Sequence, residues 1–473
     1  MITSLYNGIS GINSFQSGVD VLADNISNVN TIGFKGSYPE FSTIFSKSLS
    51  TNVTSNDIGL GSKLDATSLD TSQGSLQNSD NVFDLALNSE GWFGVQGIDN
   101  QINYTRSGSF NRDADGYLTS SSGEYLLGTL GGNMTPTTLD QTSLDTFGKI
   151  YGDSIHSLSD AYALSYIEDI PLGSISSQSK IKLPDLLSFP AVPTTKVSYK
   201  TNLDPTVKYN AKDKEIPNVE HRTSTVISPN GDRNTLDMTF TKRVPQQSTG
   251  SIWDANIQIL GLAQTYDLKT TYDTAKYKVD TTAKKVYPII DSKSGVLKFD
   301  SSGKLISSTV PTLSNGGVSL NLNLGTPGTY DGLISSANFS KASSEQHDGY
   351  IAGLLKDYGI DGNGNVIANF SNGKSVPVAK IAVYHFQNDQ GLEKVGNNLF
   401  SASQNSGDPI FYKDSNGNPI LGTQISSNKL ESSNVNLSTA LTELIVMQKA
   451  FDASAKSVTT SNELIKNAIN MKK

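Results

Sequence analysis

At 473 residues the chain is longer than one ordinary hydrophobic core, so its length predicts about three domains. With 36% hydrophobic and 17% charged residues, and with 41 Gly, it reads as β-rich with frequent tight turns. A net charge of -8 without a basic patch argues against a nucleic-acid partner, and a cysteine count of 0 removes disulfides, zinc ribbons and thiol nucleophiles.

The first predicted element is a helix. From Ile2 the positions spaced alternately by three and four are Ile2, Leu5, Ile9, Ile12, Gln16, Val19, Ala23 and Ile26. This spacing puts one apolar stripe along one side of a helix, although Gly8, Gly11 and Gly18 weaken it. No basic n-region, apolar h-region or small-residue cleavage site is found there, so a conventional secretory signal is not expected. From Phe34 to about Asp70 the chain is rich in Ser, Thr and Asn, with Phe41, Ile44, Phe45 and Leu49 as sparse apolar anchors, and reads as a loop or linker.

Strand and turn patterns follow. Asp84-Leu85-Ala86-Leu87 precedes Ser89-Glu90-Gly91 and then Trp92-Phe93-Gly94-Val95. Turn signals recur at Asp115-Gly116, Asn363-Gly364 and Asn416-Gly417, which predicts a β domain over residues 71–145 and 331–430. Residues 146–330 predict an outer β domain, whether one unit or two. Its Lys196-Val197-Ser198-Tyr199 and Asp237–Thr241 alternate, and Asn230-Gly231 marks a hairpin.

The C-terminal stripe is the stronger one. Leu437, Leu441, Leu444, Gln448, Phe451, Ala455, Val458, Asn462, Ile465 and Ile469 keep the same alternation, with no Gly or Pro from Val435 onward. Asn436 or Ser438 is placed to cap the helix, and Glu443 lies early, where a carboxylate suits the helix dipole. Lys449, Asp452, Lys456, Glu463 and Lys466 occupy the opposite face, which completes a coiled-coil signature. The longest apolar runs, such as Leu444–Met447, last about one helical turn, so no membrane span is expected. The two stripes are expected to gain stable structure by burying against one another and against adjacent copies.

Catalytic and metal signals are weak. Asp113-Ala114-Asp115-Gly116 and Asp361–Asn365 resemble fragments of calcium loops. However, a calcium loop needs Gly at position 6, where this chain has Leu118 and Val366, so both read as plain turns. His156, His221, His347 and His385 are dispersed, without the i, i+4 spacing that chelates zinc. There is no G-x-S-x-G, P-loop or G-x-G-x-x-G pattern, and no enzymatic activity, cofactor or metal is expected.

Several stretches resemble flagellar rod and hook axial proteins. Val21-Leu22-Ala23-Asp24-Asn25-Ile26-Ser27-Asn28-Val29-Asn30-Thr31-Ile32-Gly33-Phe34-Lys35 is similar to that family's ANNxANxxTxGFK segment. Leu430-Glu431-Ser432-Ser433-Asn434-Val435-Asn436-Leu437 resembles LExSNVDL, with Asn436 where Asp is usual. Tyr104–Phe110 followed by Asp115–Leu118 resembles YTRxGxFxxDxxGxL. Tyr358–Asp361 through Phe370–Gly373, then Ile381–Phe386 and Gly391-Leu392, resembles a hook pattern, and a distal rod subunit would lack most of the insertion around residues 146–330.

The resemblance implies a mainly β, nested multidomain fold with its terminal helices paired as a coiled coil. Residues 1–33 and 431–473 would form an inner helical domain and 34–70 a linker, which in the family packs between neighbouring subunits. Residues 71–145 and 331–430 would form the middle β domain, with 146–330 outside it. It also implies a hook subunit that polymerises into a curved, flexible tube carrying torque from rod to filament. Its partners would be copies of itself, the rod, the hook cap, the hook–filament junction proteins and the type III export apparatus. The implied motif residues are Asn25, Asn28, Gly33, Phe34, Lys35, Glu431 and Asn434. An accessory hook-like or distal rod subunit is the nearest alternative, and a surface adhesin is the alternative from another class.

Overall fold

The computed structural model describes residues 2–44, 47–51, 54–138, 161–245, 249–267, 270–337, 339 and 342–471. Phe45, His156 and the expected border at residues 145 and 146 lie outside these. The chain is mainly β, opened by helix α1 (Ile2–Ser27) and closed by helix α2 (Leu437–Asn470). Asn436 caps α2 as its position suggests: its side-chain oxygen accepts the amides of Ser438 and Thr439 at 3.0 and 3.2 Å.

Segment 34–70, read from the sequence as a loop, contains paired strands instead. β1 (Ser37–Thr43) pairs antiparallel with β4 (Ser62–Leu69), and between them β2 (Lys47–Thr51) pairs with β3 (Thr54–Ile58). The four make a ribbon rather than part of a large sheet. A ribbon with little core of its own needs few apolar residues, so its alternation is faint, while its Thr residues still favour extended backbone.

The body has two apolar cores. Trp92–Gln96 pairs with Ile102–Thr105 and with Tyr125–Leu130, and Tyr125–Leu130 pairs in turn with Ser375–Ile381. Asn365–Phe370 and Gly353–Ile360 extend the same sheet to Leu186–Phe189 and Ala161–Leu164. Leu85, Trp92, Phe93, Phe110, Phe189, Ile381, Tyr384 and Phe400 are buried in this first core. Residues 161–189 therefore pack with 85–126 and 355–425, although the sequence reading grouped them with the outer strands.

The second core holds Val197, Met238, Phe240, Trp253, Ile257, Leu297 and Leu333. Its main sheet pairs Val219–Ile227 with Arg233–Lys242, Gly250–Leu260 and Lys285–Asp300 in turn. Asn230-Gly231 sits in the first of these turns, with Gly231 at φ +85°, as the hairpin signal implied. The chain passes between the cores on two adjacent segments, where the Val192 amide donates to the Tyr350 carbonyl at 2.9 Å and the reciprocal bond is 3.0 Å.

The two calcium-like fragments are turns. Asp113 Oδ1 accepts the amides of Asp115 and Tyr117, and Asp361 Oδ1 accepts those of Asn363 and Asn365. These carboxylates hold their own backbone, as such residues do in tight turns.

Candidate assembly site: a glycine-lined helix pair and its buried root

Helices α1 and α2 pack antiparallel, at closest approach through glycine. A Cβ placed on Gly8 would lie 2.6 Å from Val458 Cγ2, and one on Gly11 would lie 2.8 Å from Ser454 Oγ. Nearer the body, a Cβ on Gly18 would sit 3.1 Å from Phe41 Cζ and 3.4 Å from Met447 Sδ. On α1 the buried positions are Gly8, Gly11, Ser14, Gly18, Leu22 and Asn25. The face of α2 turned to them runs Ala440, Leu444, Met447, Phe451, Ser454, Val458, Ser461 and Ile465, again in steps of four and three.

The helix–helix seam thus lies one residue from the apolar stripe read on α1, a rotation of about 100°. Four of the ten residues of the stripe read on α2, namely Leu444, Phe451, Val458 and Ile465, do face α1 and are half-buried. At the seam they alternate with Ala440, Met447, Ser454 and Ser461. The reason is packing distance: glycines let the backbones approach until larger side chains are displaced to the flanks.

The displaced side chains remain accessible. Ile2 begins α1; Leu5, Ile12, Val19 and Ile26 are half-buried, and Ile9 is 42% exposed. Leu437 and Leu441 are each 43% exposed, Ile445 is 57% and Ile469 is 60%. In an antiparallel pair, stepping one residue on from the seam turns both helices toward the same side. Leu5, Ile9, Ile12 and Val19 of α1 and Leu441 and Ile445 of α2 therefore belong to one apolar face, without a partner within the described chain.

The opposite side of α1 is polar and is covered by the ribbon. Asn7 Nδ2 donates to the Gly59 carbonyl at 3.0 Å, Ser14 Oγ to the Ser62 carbonyl at 2.7 Å, and Phe15 meets Phe41 with ring centroids 6.0 Å apart. The ribbon thereby covers the polar side of α1 and leaves its apolar side open.

Where the two helices join the body, the family-like motif residues converge on Glu431. Its side chain, 0% exposed, pairs with Lys35 Nζ at 2.6 Å and Arg106 Nη1 at 3.2 Å, and accepts the Gly74 amide at 2.8 Å. Lys35 Nζ also donates to the Ser72 carbonyl at 2.5 Å. Burial draws both the Lys35 ammonium and the Arg106 guanidinium below their ordinary values, with the Glu431 carboxylate opposing that shift in each case. The Glu431 carbonyl accepts the Gly33 amide at 2.7 Å. Gly33 has φ +67°, and a Cβ there would lie 2.4 Å from the Ser107 amide nitrogen, so the chain passes Arg106 at a distance only glycine allows.

Two asparagines complete the root. Asn434 Oδ1 accepts the Gly36 amide at 2.9 Å, and its Nδ2 donates to the Asp70 carbonyl at 2.9 Å. Buried Asn25 exchanges two bonds with the backbone of Ser37, at 2.7 and 2.9 Å. Asn28 holds the last turn of α1, donating to the Asp24 carbonyl at 3.0 Å, and Phe34 is buried beneath Lys394. Arg106 was not among the residues expected at the root. Its signal was present in Tyr104-Thr105-Arg106-Ser107-Gly108, but the partner lies 325 residues away in sequence.

In sequence the chain is similar to flagellar proteins at both ends and in the β body between them. Three family profiles match: "Flagella basal body rod protein" over residues 5–35, "Flagellar hook protein FlgE/F/G D1 domain" over 86–152, and "Flagellar basal body rod FlgEFG protein C-terminal" over 426–471. The chain is 28% identical to the flagellar hook protein FlgE of Borreliella burgdorferi, with 100% of both chains covered. It is 24% identical to that of Salmonella typhimurium over 99% of this chain and 100% of the relative. A crystal structure of Helicobacter pylori flagellar hook protein FlgE2 covers 75% of this chain and 100% of its own, at 19% identity and a TM-score of 0.41. Profiles that fall on both helices and on the strands beside their root, together with relatives matched from end to end, make the chain similar to flagellar hook proteins over its whole length.

Proposed function

We propose that this chain is a structural, non-catalytic subunit of the bacterial flagellar hook. In this reading it self-assembles into a flexible tube that transmits torque from rod to filament. The observation that carries the proposal is the one-sided apolar face of the helix pair, seated on a buried ionic root. An isolated chain gains nothing from leaving Ile9, Leu441 and Ile445 in water, whereas a polymer buries them between copies. The root gives the pair a firm base, so load on the helices passes through Glu431, Lys35 and Arg106 into the first β core.

The proposal divides the chain into nested parts. Residues 2–33 and 431–471 form an inner antiparallel coiled coil, and 34–70 a ribbon at its side. The first core, from 71–138, 161–190 and 351–430, forms the middle domain, and the second core, from 194–349, the outer one. The second core also favours a hook over a distal rod subunit, because a rod subunit would lack most of this insertion. The stiff inner tube carries load, while outer domains with polar surfaces slide past neighbours at low cost as the tube bends. The partners in this reading are other copies, the rod, the hook cap, the hook–filament junction proteins and the type III export apparatus.

Substituting Ile9→Asp together with Ile445→Asp tests the reading. Both side chains are exposed in the single chain, so the β body should keep its near-ultraviolet circular dichroism while sedimentable polymer disappears. Polymer of unchanged yield from the double variant would refute it.

A further inference from the structure

Helix α2 carries two different apolar flanks. With about 100° of turn per residue, Leu441 and Ile445 lie to one side of the seam, while Val446, Ala453 and Leu464 lie to the other. Both flanks are wet: Ile445 is 57% exposed, Val446 59% and Leu464 51%, and Ala453 is exposed. Between them, on the back of the helix, stand Lys449, Lys456 and Glu463. The first flank is tall and branched; the second is low, with an alanine between larger residues.

We infer that a second copy of the chain docks head to tail, its low flank of Val446, Ala453 and Leu464 receiving the tall flank of Leu441 and Ile445. This rests on the tube reading above and names the two surfaces that meet within it. The same complementarity already operates inside the chain, where Val458 overlies Gly8 and Met447 approaches Gly18. A two-fold contact would bury the tall flank on itself and leave Val446 and Leu464 in water on both copies. Joining unlike flanks covers both and leaves each new copy with an open flank, so growth continues.

The lack of cysteine makes the test clean, because every disulfide formed is an engineered one. Ile445→Cys would be combined with Ala453→Cys or with Leu464→Cys in the full chain, with each single variant alongside. Residues eight or more apart on a helix are separated by about 12 Å or more, beyond the reach of a disulfide within one chain. Oxidation of polymer should give a ladder of dimers, trimers and higher species from at least one double variant, and no cross-link from any single variant. Dimer as the end product of Ile445→Cys alone would overturn the inference in favour of a two-fold contact. Sedimenting polymer with no ladder from either double variant would overturn the flank assignment and leave the hook reading standing. If the unsubstituted chain never sediments, both fail.

Discussion

Glu431→Gln is the substitution that probes the root most directly. The amide has the shape of the carboxylate but not its charge, and it leaves Lys35 and Arg106 facing each other in a site where Glu431 is 0% exposed. Removing one partner of a buried ion pair costs about 3–5 kcal/mol, and here two cations share the partner that is lost. In a chain with two cores a single unfolding energy is not well defined, so the reading belongs to local amide hydrogen exchange. Protection at residues 33–36, 72–75 and 431–436 should fall by roughly two to three and a half orders of magnitude, since each factor of ten is about 1.4 kcal/mol.

The loss should shrink in the double variant Lys35→Met with Glu431→Gln, because one stranded cation is then gone. Alkaline conditions should also relieve it. Lys35 already titrates below its ordinary 10.5 in the folded chain, so between the two values the unfolded chain binds more protons and folding gains as pH rises. If the single variant loses less than tenfold protection, or the double variant recovers none of it, Glu431 is not the keystone described here.

Two further expectations concern the seam and the body. Gly8→Ala should destabilise the helix pair despite a helix-propensity gain of about 1 kcal/mol, because its Cβ meets the stiff Val458 side chain at 2.6 Å. Gly18→Ala meets only the far ends of Phe41 and Met447 and should be neutral or stabilising; equal melting of the helical signal for both variants would contradict the packing argument. Burial holds His385 below its ordinary 6.5, with its ring stacked on Tyr412 and Nε2 2.7 Å from the Leu421 carbonyl oxygen. A group kept neutral by the fold binds protons more readily when unfolded. Protection of residues 408–425 should therefore decline as pH falls below about 6.5, and His385→Gln should flatten that decline in hydrogen exchange at pH 7.5 and pH 5.

Local rules in the sequence determined both helices, the Asn436 cap, the Asn230-Gly231 hairpin and the Asp-centred turns, because each depends on neighbours a few residues apart. The motif residues were legible for the same reason, as short patterns near each end. What only tertiary structure decided is which side of α1 meets α2. Hydrophobicity marked the stripe through Ile9 and Ile12, yet closeness of approach put Gly8, Gly11 and Gly18 in the contact and left the stripe outside it. The ribbon over 34–70 was equally hidden, since its pairing partners and the α1 face beneath it, rather than its composition, make it extended. Arg106 reaches Glu431 across 325 residues, and residues 161–189 join the first core through pairing with distant strands, separations over which no periodicity in the sequence carries information.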